Sequence, residues 1–162
     1  MEIERKFLVP RLPEDLDSYP HHEIMQAYVS THPVIRIRRW DDQYILTIKS
    51  KGLLAHEEIE MPLTEESFAH LYGKIDGVAI SKTRYQIPDG KGHTIELDIF
   101  HQDYQGFVMA EVEFGSVEEA ENYQKPAWFG KDVTMDKRFH NSNLSSASKE
   151  EIQQFLAFAK SL

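Results

Sequence analysis

The sequence predicts an α+β fold: a closed antiparallel β-barrel whose charged strand faces line the interior and whose apolar faces are covered by amphipathic helices. Three observations lead there. Stretch after stretch alternates apolar and ionised residues with the period of two that a β-strand imposes. The ionised face repeatedly carries neighbours of one sign: Glu2/Glu4, Arg36/Arg38, Glu58/Glu60, Lys82/Arg84, Glu96/Asp98 and Glu111/Glu113. Segments with the caps and apolar stripes of helices lie among and after the strands. Like charges roughly 4 Å apart cost about 4 kcal/mol at an effective dielectric of roughly 20, so a protein concentrates them where an ion or ligand of opposite sign binds. A closed barrel provides such a place and leaves the apolar faces outside to pack.

The first strand, residues 1–9, puts Glu2, Glu4 and Lys6 on one face and Ile3 and Phe7 on the other, with Arg5 a charged exception on the apolar side. Same-face residues lie about 6.6 Å apart along a strand, so two flexible carboxylates can converge on a divalent cation with the lysine beside it. Pro10 and Pro13 stop the run, and residues 14–19 make at most a helical turn. His21 and His22 lack a carboxylate or third histidine at ligand spacing and read as surface loop residues. Residues 24–30 place Gln26 and Tyr28 opposite Met25, Ala27 and Val29, and residues 34–40 place Arg36 and Arg38 opposite Ile35 and Ile37. After the turn at Asp41 and Asp42, Lys49 and Lys51 alternate with Leu46 and Ile48, and residues 56–63 set Glu58 and Glu60 against Ile59 and Met61 until Pro62 closes the run.

Thr64 then caps a helix with Glu65 and Glu66 in its first turn and Phe68, Leu71, Tyr72 and Ile75 as its stripe, ended by Asp76-Gly77. Lys82 and Arg84 share a face opposite Thr83, Tyr85 and Ile87, and the Pro88 to Gly92 turn leads into residues 93–100, where Glu96 and Asp98 oppose Ile95, Leu97 and Ile99. Residues 107–114 set Glu111 and Glu113 against Val112 and Phe114. Ser116 with Glu119, and Ser148 with Glu151, have capping-box spacing; the second opens a helix striped by Ile152, Phe155, Leu156 and Ala159. Residues 128–134 form an aromatic-rich connection to which the pattern assigns no shape.

The 162 residues are read as one domain, 1–162, with a core large enough to need no disulfide, and there is no cysteine. A net charge of -9 argues against nonspecific binding of duplex nucleic acid. No apolar run reaches membrane-spanning length, and the charged start is unlike a secretory signal, so a soluble cytoplasmic protein is expected. Oligomeric state is left open.

Lys6, Arg36, Arg38, Lys49, Lys82 and Arg84 would all face the interior, a set suited to a polyanion because guanidinium groups grip phosphate oxygens bidentately and ammonium groups act as point charges. The carboxylates among them can bind Mg²⁺ or Mn²⁺, which takes its remaining oxygens from water and phosphate. A metal-bound triphosphate is the simplest ligand that neutralises both sets.

In its ordered motifs the chain resembles the triphosphate tunnel metalloenzymes, or CYTH-domain proteins. These are Glu2-x-Glu4-x-Lys6, Gln26-Ala27-Tyr28, Arg36-Ile37-Arg38, the Lys49 strand, Glu58-Ile59-Glu60, Lys82-Thr83-Arg84-Tyr85, Glu96-Leu97-Asp98, Glu111-Val112-Glu113 and the stretch from Val133-Thr134 to Asn143-Leu144. The resemblance implies an eight-stranded antiparallel tunnel that needs a divalent metal. It implies Glu2, Glu4, Glu111 and Glu113 as metal ligands with Asp98 a further candidate, the six basic residues as phosphate holders with Lys131 added to them, and Lys6, Arg36 and Arg38 as the catalytic cations. Among its members the chain looks most like the small bacterial ones that hydrolyse tripolyphosphate or nucleoside triphosphates. An adenylyl cyclase would use the same residues, and a noncatalytic polyphosphate-binding module is the reading from another class.

Overall fold

The alternation is realised in eight strands, β1 (Ile3–Leu8), β2 (His21–Thr31), β3 (Val34–Trp40), β4 (Gln43–Lys49), β5 (Glu58–Leu63), β6 (Asp76–Pro88), β7 (Thr94–Phe100) and β8 (Val108–Phe114). The computed structural model describes residues 3–49 and 58–162. Within these the strands form one antiparallel sheet in the order β1-β8-β7-β6-β2-β3-β4-β5. Strand pairing therefore returns the first strand beside the last.

The apolar faces pack as the period requires. Ala27 and Ile37 are buried with Phe68 of helix α1 (Glu65–Tyr72), and Met25, Leu46 and Leu71 close around them. Phe7, Ile95, Leu97, Ala110 and Val112 form a second core under Ala120 of helix α2 (Val117–Glu121) and under Tyr123 and Phe129. Each such fully buried large side chain contributes about 1.5–3 kcal/mol.

The other face is not charged along its whole length. Leu8, Ile80, Phe100 and Met109 continue the phase of Lys6, Lys82, Asp98 and Glu111, yet all four are apolar and buried. They pack against Phe139, Leu144 of helix α3 (Asn141–Ser146) and Ile152 of helix α4 (Lys149–Ser161). The C-terminal helices thus close one end of the charged face instead of coating the outside. Alternation tells which face a residue occupies; it does not tell what covers that face.

The sheet is not closed by hydrogen bonds among the described residues, since β1 and β5 stand at opposite ends of the strand order. The free edge of β1 is occupied by residues 130–134: Leu8 N donates to Lys131 O (2.9 Å), Gly130 N to Leu8 O (2.6 Å) and Val133 N to Lys6 O (2.8 Å). The shape that the sequence left unassigned is a short partner for β1. Strand β5 is an edge, with Ile59 55% exposed and Pro62 inside it rather than closing it, a position where a missing N–H costs no ladder bond.

Several local expectations are corrected. Helix α1 stops at Tyr72, and Asp76 and Gly77 open β6 instead of ending the helix. Gly77 has φ +73° and lies so close to α3 that a Cβ there would come within 2.1 Å of Ser145 O. His21 and His22 begin β2, and His22 Nδ1 bonds Asp41 Oδ2 at 2.7 Å. Ser116 accepts from Glu119 N at the start of α2, but the Glu119 carboxylate bonds His93 Nε2 and does not close the box; in α4 the Ser148–Glu151 box is complete.

Candidate active site

Lys6 pairs across the strands with Glu111, and Glu4 with Glu113. Because the backbone N and O of Lys6 bond Thr134 and Val133 rather than β8, these are non-hydrogen-bonded pairs, whose Cα atoms approach to about 4.5 Å. Two acids are thus placed directly opposite each other, an unfavourable arrangement by itself. Glu96 on β7 stands on the other side of Glu111. Lys6 Nζ lies 3.8 Å from Glu4 Oε1 and 3.9 Å from Glu111 Oε1. Those separations are too long for hydrogen bonds, and Glu111 Oε1 is buried with no hydrogen-bond partner.

Farther round the sheet, Asp98 is fully buried and saturated with cations. Arg84 Nε and Nη2 donate to its two oxygens at 2.8 and 2.9 Å, and Lys82 Nζ lies 2.8 Å from Oδ2. Burial works against its ionisation, but Lys82 and Arg84 hold the carboxyl below its ordinary range. Burial likewise opposes the Arg84 charge and is outweighed by Asp98, Glu96 and Glu111, so Arg84 is held more firmly protonated than usual. Glu96 meets Arg84 Nη1 at 2.7 Å, yet burial, with Glu111 and Asp98, keeps its pKa raised.

Strands β2 to β4 present the opposite imbalance. Among the described residues no carboxylate lies within ion-pair distance of Arg36, Arg38 or Lys49. Both Arg Nε atoms are buried without a partner, while Arg38 Nη2 donates to Gln26 Oε1 at 3.3 Å. Burial, then the charges of Arg36 and Arg84, lower the Arg38 pKa. These guanidinium groups have hydrogen-bonding capacity that an anion would fill.

The structure thus brings Glu4, Lys6, Lys82, Arg84, Asp98 and Glu111 into one connected array and sets Arg36, Arg38 and Lys49 on the same face beyond it. Glu113 stands opposite Glu4 and is exposed. Lys131 is also exposed and lines a surface groove with Leu156 and Lys160 of α4, outside the array. Glu2 lies outside the described residues. Sequence reasoning did not single out Thr47, 1% exposed and in phase with Lys49, or Trp40, in phase with Arg38 and 4.9 Å from the His22 ring. The same period-two count would have found both.

An antiparallel sheet that gathers buried cations and carboxylates on one face offers partners to an anion and to a hard cation. Comparison with known proteins specifies it. The CYTH domain family model matches residues 1–151, and the chain belongs to that family. It is 37% identical over 150 residues to an inorganic triphosphatase of Nitrosomonas europaea, covering 89% of this chain and 96% of that one. It is 34% identical over 154 residues to an inorganic triphosphatase of Acetivibrio thermocellus, covering 88% and 92%. The crystal structure of the inorganic triphosphatase NE1496 matches with a TM-score of 0.80 at 32% identity, over 91% of this chain and 96% of that one. The eight-stranded sheet, though unbonded at its seam among the described residues, is therefore the CYTH tunnel fold.

The family implies a divalent metal ion, and the residues fit one. Among the described residues no three His, Asp or Glu side chains converge as a ready cage. Mg²⁺-type ions do not require one, since they keep several waters and bind through one or two carboxylates plus phosphate oxygens. Glu4 and Glu111, whose Oε1 has no hydrogen-bond partner, offer oxygens of that kind, whereas both oxygens of Asp98 already hold cations.

Proposed function

We propose that this protein hydrolyses the terminal phosphate of a triphosphate, inorganic tripolyphosphate or a nucleoside triphosphate, with Mg²⁺ or Mn²⁺ as cofactor. The observation that carries the reading is the division of one strand face into a part where carboxylates crowd Lys6, Lys82 and Arg84 and a part where Arg36 and Arg38 have buried Nε atoms without a hydrogen-bond partner. Only a ligand that brings both anionic oxygens and a cation completes both parts. The names and coverage of the Nitrosomonas europaea and Acetivibrio thermocellus relatives support the same activity.

In this reading Arg36, Arg38 and Lys49 hold phosphate oxygens, and Lys6, Lys82 and Arg84 hold those nearer the acids. Glu4, Glu111 and Glu113, with Glu2 before them, are the residues that would hold the metal, which when bound polarises phosphate oxygens and neutralises their charge. Water attacks the terminal phosphorus in line and gives up a proton to solvent, the bond from that phosphorus to the bridging oxygen breaks, and diphosphate or the nucleoside diphosphate leaves with orthophosphate formed. Lys6, beside Glu4 and Glu111, is placed to steady charge on the transferred group. Positioning and charge compensation do most of the work because phosphoryl transfer asks for little covalent chemistry. The whole chain acts as one domain, with α4 part of its core. No described helix is long and apolar enough to cross a membrane, and we place the reaction in the cytoplasm, where a chain without cysteine loses nothing to reducing conditions.

Product analysis tests the reaction type. Tripolyphosphate should give orthophosphate and diphosphate, and ATP, if accepted, orthophosphate and ADP. Cyclic AMP with diphosphate as the products from ATP would replace hydrolysis by cyclisation, and binding without turnover under either metal would make the protein a phosphate-binding module.

A further inference from the structure

Arg5 is the residue that breaks the alternation: it lies on the apolar face of β1, with its guanidinium carbon 4.9 Å from the Phe7 ring centroid. Its side chain is 23% exposed and its hydrogen bonds reach two distant segments. Nη1 donates to Ala120 O of α2 at 2.8 Å, while Nε and Nη2 donate to Asp132 Oδ2 at 3.2 and 2.8 Å. The other Asp132 oxygen accepts from Thr134 N at 2.9 Å and from the Thr134 hydroxyl. Thr134 Oγ1 in turn accepts from the backbone N–H of Lys6 at 2.9 Å. A continuous hydrogen-bonded path therefore runs from the outer face of β1 to the main chain of the lysine that faces the site.

The path matters because β1 is an edge strand. Among the described residues only β8 flanks it within the sheet, and on its other side the main-chain groups of Lys6 and Leu8 are met by residues 130–134. Among the described residues no further strand lies behind that short segment. Val133 anchors it in the core with Leu8 and Ile152, and Asp132, fixed by Arg5 and by Thr134, ties it to the outer side of β1.

We propose that Arg5, Asp132 and Thr134 form a clamp that sets the position of β1, and so are positioning residues for Glu4 and Lys6. The inference rests on the metal-bound triphosphate reading for what Glu4 and Lys6 do, and on the observed hydrogen bonds for the clamp. Arg5 and Asp132 act from the outer side, where they touch neither substrate nor metal. A salt bridge as exposed as this one adds little stability. Its effect is registered instead where a carboxylate must sit within a fraction of an ångström of an ion.

The test compares wild type with Arg5→Gln and Thr134→Val, the latter exchanging only the hydroxyl for a methyl group. Two quantities are read on folded protein well below its melting temperature: amide exchange at Lys6 and Leu8, and the Mn²⁺ dissociation constant by electron paramagnetic resonance. Both variants should speed exchange at Lys6, by about tenfold. Both should weaken Mn²⁺ binding by about tenfold or more, the size of effect seen when groups supporting a ligand are removed. Arg5→Lys, which can restore one bond to Asp132, should recover part of the loss.

Faster exchange with unchanged Mn²⁺ affinity would overturn the proposal, because the clamp would then be structural only. Unchanged exchange would overturn it as well. If Arg5→Gln does not fold, Thr134→Val decides by the same two readings. A wild type that binds no Mn²⁺ would instead bring down the metal reading and the role given to the clamp with it, whereas variants that match a metal-binding wild type refute the clamp alone.

Discussion

Replacing Asp98 by Asn separates two roles that a buried acid in this tunnel could have. The carboxylate is 0% exposed and accepts from Arg84 twice and from Lys82 once, at 2.8 to 2.9 Å. The amide keeps the shape and loses the charge, leaving Lys82, 2% exposed, without its counter-ion. Removing one member of a buried ion pair costs about 3–5 kcal/mol. In a chain of this length each kcal/mol is about 2–4 °C, so the melting temperature should fall by roughly 6–20 °C. Total stabilities are about 5–15 kcal/mol, so the variant can be studied folded in the cold over most of that range. The pH dependence adds a sign. Asp98 titrates lower in the folded than in the unfolded chain, so its stabilisation is complete above the unfolded value of about 3.9 and is lost as pH falls through the folded one. The difference between wild type and Asp98→Asn should therefore shrink in acid. Tripolyphosphate should restore more stability to the variant than to wild type, because it meets cations that Asp98 no longer holds. Thermal melts with and without tripolyphosphate, beside a Mn²⁺ titration, read both effects. A loss under about 1 kcal/mol, or a Mn²⁺ midpoint that moves while the phosphate response does not, would refute the assignment of Asp98 to the cations.

Other perturbations follow from the same charges. Glu96 titrates higher in the folded chain, so its ionisation costs stability as pH rises above the unfolded value of about 4.3; the melting temperature of Glu96→Gln minus that of wild type should grow from pH 4 to 7, and a flat difference would contradict the burial argument. Arg38→Gln removes a buried charge beside Arg36 and Arg84, so the ligand-free protein should melt no lower while tripolyphosphate affinity drops roughly ten- to a hundredfold, as expected for charged hydrogen bonds. Calorimetry showing unchanged affinity would remove Arg38 from the site. Gly77→Ala puts a Cβ against Ser145 O at a positive φ, and should cost about 2–5 kcal/mol from overpacking and backbone strain; a wild-type melt would mean that β6 and α3 are not so close.

What the sequence revealed follows from its period. Ile37 against Arg36 and Arg38, and Leu97 against Glu96 and Asp98, were legible because a strand allows only two directions and the residues differ in kind. The closure of one end by α3 and α4 was not, since Leu8, Ile80, Phe100 and Met109 look like any apolar residues until the helix that meets them is placed. Asp98 could be put on the right face by counting, but its three cation contacts depend on cross-strand register with Arg84 and on the reach of Lys82. Glu119 had capping-box spacing and bonds His93 instead, a long-range partner that local spacing cannot reveal. Arg5 appeared as an exception to the pattern, and only the placement of Asp132 and Thr134 beside β1 gives it a reason.

The account turns on whether the carboxylates of β1 and β8 hold the metal that hydrolysis needs. Phosphorus NMR of tripolyphosphate with Mg²⁺, on wild type and on Glu111→Gln, tests that most directly. Wild type should release one orthophosphate and one diphosphate per substrate and stop on chelation, and the folded variant should be nearly inert with a Mg²⁺ requirement shifted to higher concentration. Hydrolysis that survives chelation, or a Glu111→Gln protein that turns over at the wild-type rate and metal midpoint, would contradict it.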